Sequence, residues 1–192
     1  MIGDGYPSVG ERFAGHRIDS IIGRGSTGVV FAAEHLESHR RAALRILRPD
    51  LAHTIGFPDR FLAEVRNVGE LGHPNSPGLL DAGRHEDLLF VSMELADGWD
   101  LQRLVDRQGR LHPRRVASLV GQVGGMLDAA HARGVVHGRL GPADVLVAPS
   151  GRLVLPERVV VTGFGLGSLP ADRTGPDTAF LAPEVLESWA PG

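Results

Sequence analysis

Two short stretches carry residues whose types and spacing could do chemistry. In Gly23-Arg-Gly25-Ser-Thr-Gly28-Val-Val30 the glycines follow the pattern G-x-G-x-x-G-x-V. Glycines spaced in this way let backbone N–H groups close on phosphate oxygens, because no Cβ blocks the approach. In a dinucleotide-binding unit such glycines lead from a strand into a helix. Here they lead into VVFAAEH (29–35), which has no helical period, so a loop folded over phosphates from above is expected; a plain glycine-rich hairpin would give the same pattern. The second stretch is HGRLGPADVLV (137–147), whose ionisable groups are His137, Arg139 and Asp144. A guanidinium stays protonated and has no acceptor lone pair, so Arg139 cannot take a proton from a hydroxyl.

Positioning these stretches requires a strand-rich half followed by a helix-rich one. RIDSII (17–22), VVFAAEH and AALRIL (42–47) read as strands. A helix follows, with Pro58 suited to its first turn and Phe61, Leu62, Val65, Val68 and Leu71 at helical spacing. GLLDAG and DLLFVSMEL read as two more strands separated by the turn GRHE. After MELADG the period becomes helical. Leu101, Leu104 and Val105 form a short stripe ending near Gly109. Val116, Leu119, Val120, Val123, Met126, Leu127 and Ala130 form a long one, stopped by Gly134. Gly121, Gly124 and Gly125 lie inside that helix, each costing about 1 kcal/mol against Ala. Either close packing on another element compensates them, or codon bias put them there. VLVAP and RVVVTGFG read as short strands. The expected division is a tail (1–10), a first lobe (11–97) and a second, partial lobe (98–192).

Composition narrows the chemistry. The chain has 192 residues and no Cys, which removes disulfides and thiol nucleophiles. All 20 basic residues are arginine, so no reaction can use a lysine amine. A net charge of −3 gives no strong pull toward nucleic acid. No apolar run is long enough to cross a bilayer, and the start lacks the basic and apolar segments of a signal peptide; a cytoplasmic protein is the simplest expectation. His35 and His39 fall in a hairpin rather than on a helix, so a metal pair is not expected there.

In order along the chain, these motifs resemble the N-terminal two-thirds or so of a bacterial Ser/Thr protein kinase domain of the eukaryotic-like type. The resemblance implies an α+β fold of two lobes: an antiparallel five-stranded N-lobe with one helix, and an incomplete, mainly helical C-lobe. AALRIL resembles the strand carrying the nucleotide lysine, and Glu64 matches the helix glutamate that pairs with it. MELADG resembles the hinge, with the Glu94 carbonyl and Ala96 N–H as the groups that hold adenine and Met93 as gatekeeper. Val30, Ala43 and Leu146 match the apolar residues that sandwich the base. HGRLGPADVLV resembles the catalytic loop, TGFG (162–165) stands at the metal-binding Asp-Phe-Gly, and APE (182–184) matches the end of the activation segment.

The match departs from the family at its chemistry. Phosphoryl transfer needs metal neutralisation, positioning and an acceptor for the hydroxyl proton. Arg45 stands at the lysine position; it could still pair with Glu64, although its planar fork is no equivalent phosphate clamp. Arg139 stands at the loop aspartate, Gly141 at the loop lysine, Asp144 at the metal-ligating asparagine and Gly163 at the other metal ligand. Losing a general base costs about 10²–10⁴ in rate. The resemblance therefore implies a pseudokinase: a regulatory or scaffold module that binds ATP weakly without phosphoryl transfer, holding Mg²⁺ poorly, through Asp144, or not at all. Two alternatives stay open, a divergent ATP-dependent Ser/Thr kinase and an empty slot whose apolar residues fill a core. Arg139 is expected to pair with a carboxylate such as Asp144 or Asp172, or to stay solvated. Thr174 and Thr178 read as phosphoacceptors or ordinary loop residues, beside Asp177. Since only VLESWAPG follows the APE motif, the 113–133 helix is expected to keep an apolar face that another protein covers.

Overall fold

Alternating burial along four consecutive strands explains how the first half folds. In the computed structural model, which describes residues 5–149, 157–167, 169 and 180, the chain divides into two units. The first holds the residues up to Gly72 together with Ser76–Ala96. Its strands are β1 (Arg12–Phe13), β2 (His16–Gly25), β3 (Gly28–His35), β4 (Arg40–Leu47), β5 (Leu79–His85) and β6 (Leu88–Glu94). They form one antiparallel sheet in the order β1-β2-β3-β4-β6-β5. The five strands read from the sequence are thus joined by a two-residue edge strand, too short to leave a periodic signal. Phe31, Leu44 and Ile46 are fully buried on one face with Phe13, Ile18 and Phe90, and Tyr6, from the segment read as a tail, joins them.

Helix α1 (Phe57–Gly69) begins after Gly56, whose φ of +73° turns the chain into it, and has Pro58 in its first turn. Its buried residues are Phe57, Phe61, Val65 and Val68, one helical face. The β5–β6 turn lies two residues later than GRHE suggested. Gly83 is within β5, opposite Phe90, while Glu86 and Asp87 take the left-handed backbone at φ +46° and +62°. Two consecutive positive-φ residues are what a two-residue hairpin loop requires.

The second unit holds His73–Asn75 and the residues from Asp97 onward. Its strands β7 (Trp99–Asp100), β8 (Val145–Pro149) and β9 (Glu157–Val161) make a small antiparallel sheet. Two helices, α2 (Leu101–Gln108) and α3 (Pro113–His131), complete it. Asp100 caps α2 by accepting the Arg103 N–H at 2.7 Å. Asn75 ties α3 to β9: its amide donates to Gln122 Oε1 at 3.0 Å and to the Val159 carbonyl at 2.7 Å. Arg115 makes a two-pronged pair with Glu157, at 2.9 and 2.6 Å. Among the described residues no element packs closely on the glycines of α3, so the first of the two readings finds no support there. A Cβ on Gly121 or Gly124 would meet nothing within 4 Å, and on Gly125 only His73 Nε2 at 3.9 Å. Val116 and Val120 on this helix are 41% and 60% exposed, so only part of the apolar stripe is buried.

Candidate functional site

The first unit carries most of the candidate positions. Gly23 and Gly25 end β2 and Gly28 begins β3, with Ser26-Thr27 as the turn between them. The glycine motif therefore leads from strand to strand, as its sequence context implied. Gly28 is constrained by packing: a Cβ there would lie 2.1 Å from the Ile46 carbonyl oxygen, at φ +149°. Gly25 has open space around it, which suits a loop that something else approaches.

Register places Val30 opposite Arg45, and Ala32 opposite Ala43, with Val91 and Met93 completing the two rows. Cross-strand partners share a face, so Val30, Ala43, Arg45 and Met93 lie on one side of the sheet, all half-buried. Arg45 Nη1 donates to Thr27 Oγ1 at a long 3.4 Å, linking it to the glycine turn. It makes no ion pair with Glu64. Glu64 is half-buried on α1, its pKa raised by burial, and the cation that offsets this in part is Arg60, one turn earlier. The pair that the resemblance offered, Arg45 with Glu64, is not formed. At the end of β6 the Glu94 N–H donates to the Gly78 carbonyl at 2.8 Å, and its carboxylate pairs with Arg40. Among the described residues no hydrogen bond uses the Ala96 N–H.

The remaining positions lie in the second unit. His137 is buried, its Nε2–H donating to the Thr162 carbonyl at 2.8 Å and its ring meeting Phe164 edge-on. Its Nδ1 is buried with no partner among the described residues. Burial, foremost, holds the imidazole pKa below its usual value, the Thr162 carbonyl opposing this. The loop continues through Arg139 to a one-turn helix, Pro142–Asp144. There Asp144 Oδ2 accepts the Gly141 N–H at 3.0 Å, and the Asp144 N–H donates back to the Gly141 carbonyl at 3.0 Å. The Asp144 carbonyl in turn receives Thr162 N–H at 2.8 Å and Thr162 Oγ1–H at 3.2 Å. Leu146 follows on β8, half-buried, opposite Val160.

Gly163 completes this cluster. Its φ is +89°, and a Cβ there would lie 2.7 Å from Asp144 Oδ1 and 3.4 Å from His137 Nε2. The space a side chain at 163 would use is filled by the Asp144 carboxylate. Thr162 was not singled out from sequence, nor was Thr27; a hydroxyl beside a glycine carries no periodic or motif signal of its own. Asp172, Thr174, Asp177, Thr178 and the APE at 182–184 lie outside the described residues.

A site for Mg²⁺ can be tested on the donor set alone. Asp144 supplies one carboxylate, with one oxygen committed to Gly141 and the other against Gly163. Among the described residues no three His, Cys, Asp or Glu side chains form a group able to hold a metal ion. Magnesium demands near-octahedral oxygen coordination, and this loop does not fit it. Arg139, as a permanent cation, supplies no proton acceptor.

A curled antiparallel sheet with a glycine-rich hairpin, and a separate unit carrying a His-to-Asp loop just before a short strand, define a kinase-type fold. The chain belongs to the protein kinase domain family, whose sequence model matches residues 16–190. It is 34% identical over 188 residues to the serine/threonine-protein kinase PknD of Mycobacterium tuberculosis, covering 94% of this chain and 27% of that protein. It is 36% identical over 155 residues to the serine/threonine-protein kinase pkn3 of Myxococcus xanthus, covering 80% and 28%. The crystal structure of the Mycobacterium tuberculosis PknI kinase domain superposes with a TM-score of 0.73 at 30% identity, over 86% of this chain and 66% of that one. The chain thus spans about a quarter of the length of the curated relatives it matches. No helix among the described residues is long and apolar enough to cross a membrane.

Proposed function

We propose that this chain is a pseudokinase: a protein kinase domain that works as a regulatory or scaffold module and binds ATP weakly, with Mg²⁺ held poorly or not at all and without transferring phosphate. The observation that carries this reading is the packing of Asp144 against Gly163. Kinase chemistry uses two metal-binding side chains in this region; here one carboxylate occupies the place of both. Arg139 where a proton acceptor is required, and Arg45 turned to Thr27 instead of Glu64, support the same conclusion. Val30, Ala43 and Met93 on one face of the sheet, and the Ala96 N–H that no hydrogen bond uses among the described residues, support an adenine-binding role for that face. Arg45 and the glycine turn would meet the phosphates. The division into an N-lobe (11–97) and a C-lobe (98–192), an acting place in the cytoplasm, and a protein partner covering exposed Val116 and Val120 complete the proposal.

The rival reading is a divergent Ser/Thr kinase, favoured by the names of the relatives and by the carboxylate that survives at Asp144. Two measurements on the full chain separate them. Thermal shift with ATP is expected to give a small rise in Tm, unchanged by adding Mg²⁺. Labelled ATP with a generic protein substrate is expected to give no transfer above a heat-denatured control. A rise that requires Mg²⁺, together with clear transfer, overturns the proposal.

A further inference from the structure

A cluster of arginines in the second unit plays no part in the reading above. Residues 99–115 hold five arginines against two aspartates, in a chain whose net charge is −3. The segment is β7, α2 and the start of α3, all in the second unit. Its two acids are already engaged. Asp100 accepts the Arg103 N–H at 2.7 Å, and Asp106 accepts from Gln102 at 2.9 Å. Of the arginines, Arg115 is held by Glu157 and by Gln108 at 2.6 Å. Arg107 lies over the Trp99 ring, its guanidinium carbon 4.1 Å from the centroid, a cation–π contact. The side chains of Arg103, Arg110 and Arg114 are exposed and make no hydrogen bond or ion pair among the described residues.

The position of these charges is locally unfavourable. The first turn of α3 contains no acid and does contain Arg114. The helix dipole favours negative charge there and opposes positive charge. Arginines that give up local stability, beside a Trp that is 38% exposed, make up the composition of a binding surface: Trp and Arg are the residues most enriched where binding energy concentrates.

We propose that Trp99, Arg103, Arg107, Arg110 and Arg114 form a docking surface for an acidic, Asp/Glu-rich peptide segment of a protein partner. Charge complementarity selects the occupant. The arginines are spread along α2, the following turn and the first turn of α3, which suits successive carboxylates on an extended segment better than one phosphate group. Asp100 and Asp106, interleaved with the arginines, would face the uniform negative charge of a duplex or an anionic bilayer. A mixed peptide can place neutral residues opposite them. This surface stands whether or not the chain transfers phosphate.

The test is fluorescence anisotropy on the full chain with a labelled twelve-residue peptide of Glu and Asp spaced by Ser. Saturable binding at low salt that weakens steeply as salt rises is expected. The charge reversal R103E/R114E is expected to weaken it about tenfold, and the neutral R103Q/R114Q by less, while R12E/R133E, reversing two exposed arginines elsewhere, leaves it within about twofold. Trp99→Ala weakens binding without changing its salt slope. Circular dichroism checks that each variant is folded. No saturable binding of the peptide, or equal loss in R12E/R133E, overturns the proposal. So does tighter binding to phosphatidylserine vesicles or to duplex DNA than to the peptide.

Discussion

Adding one methyl group at Gly163 is the most direct way to test the geometry around Asp144. Gly163→Ala sets a Cβ where Asp144 Oδ1 now stands, at 2.7 Å, on a backbone at φ +89°. The left-handed backbone costs an L-residue about 1–2 kcal/mol. Moving the carboxylate away breaks its hydrogen bond with the Gly141 N–H; a bond of this kind to a charged group is worth about 1.5–3 kcal/mol. The sum, about 2.5–5 kcal/mol, is a large share of the roughly 5–15 kcal/mol that holds a domain folded. For a chain of this length it corresponds to a fall in Tm of about 5–20 °C. Asp144→Ala removes the obstructing group, so in that background Gly163→Ala should cost only the backbone part, about 1–2 kcal/mol. Urea unfolding of the two single variants and the double variant measures the coupling, expected near 1.5–3 kcal/mol. If Gly163→Ala costs the same in both backgrounds, or nothing at all, the carboxylate does not occupy the 163 position and the reasoning built on it fails.

The buried histidines give a pH signature. His16 and His137 both have pKa values lowered chiefly by burial, so the unfolded chain binds more protons than the folded one at mildly acid pH. Their contribution is present above the unfolded value of about 6.5 and is lost as pH falls through the lower folded values. Tm should therefore decline from pH 7.5 to pH 5. Glu64→Gln should change stability by no more than about 0.5 kcal/mol by urea titration, because no Arg45 pair is lost; a larger loss would show that the pair forms in solution. Asn75→Ala removes the side-chain donor to the Val159 carbonyl and one of the two donors to Gln122 Oε1 and should cost about 1–3 kcal/mol, read in the same way.

What the sequence made legible was whatever repeats. The buried face of α1, at Phe61, Val65 and Val68, follows a period that nothing in the fold disturbs. The glycine motif was readable because the residues after Gly28 lack helical spacing, and Gly28 has a packing reason to stay glycine against Ile46. Single contacts were not readable. The β1 edge strand is two residues long, the β5–β6 turn uses Glu86 and Asp87 rather than the obvious Gly83, and among the described residues the α3 glycines have no close neighbour to explain them. At the site, Arg45 could have reached either Thr27 or Glu64 from its place in the strand. The choice depends on side-chain direction and burial, which residue types do not encode.

The same cluster explains what holds the loop in shape. His137 is held through Thr162, and Thr162 is held by the carbonyl of Asp144. The Asp144 carboxylate closes on Gly141. Gly138, at φ +76°, abuts the backbone of Gly167, leaving no room for a Cβ. These contacts run through backbone groups, through His137 and through the one carboxylate, and each of those residues stays constrained by what it holds. Gly141 contributes backbone alone to that network. Replacing His137 would leave the Thr162 carbonyl without this donor in the core. The loop's shape therefore depends on His137, Asp144 and Gly138, whose contacts are the ones that close it.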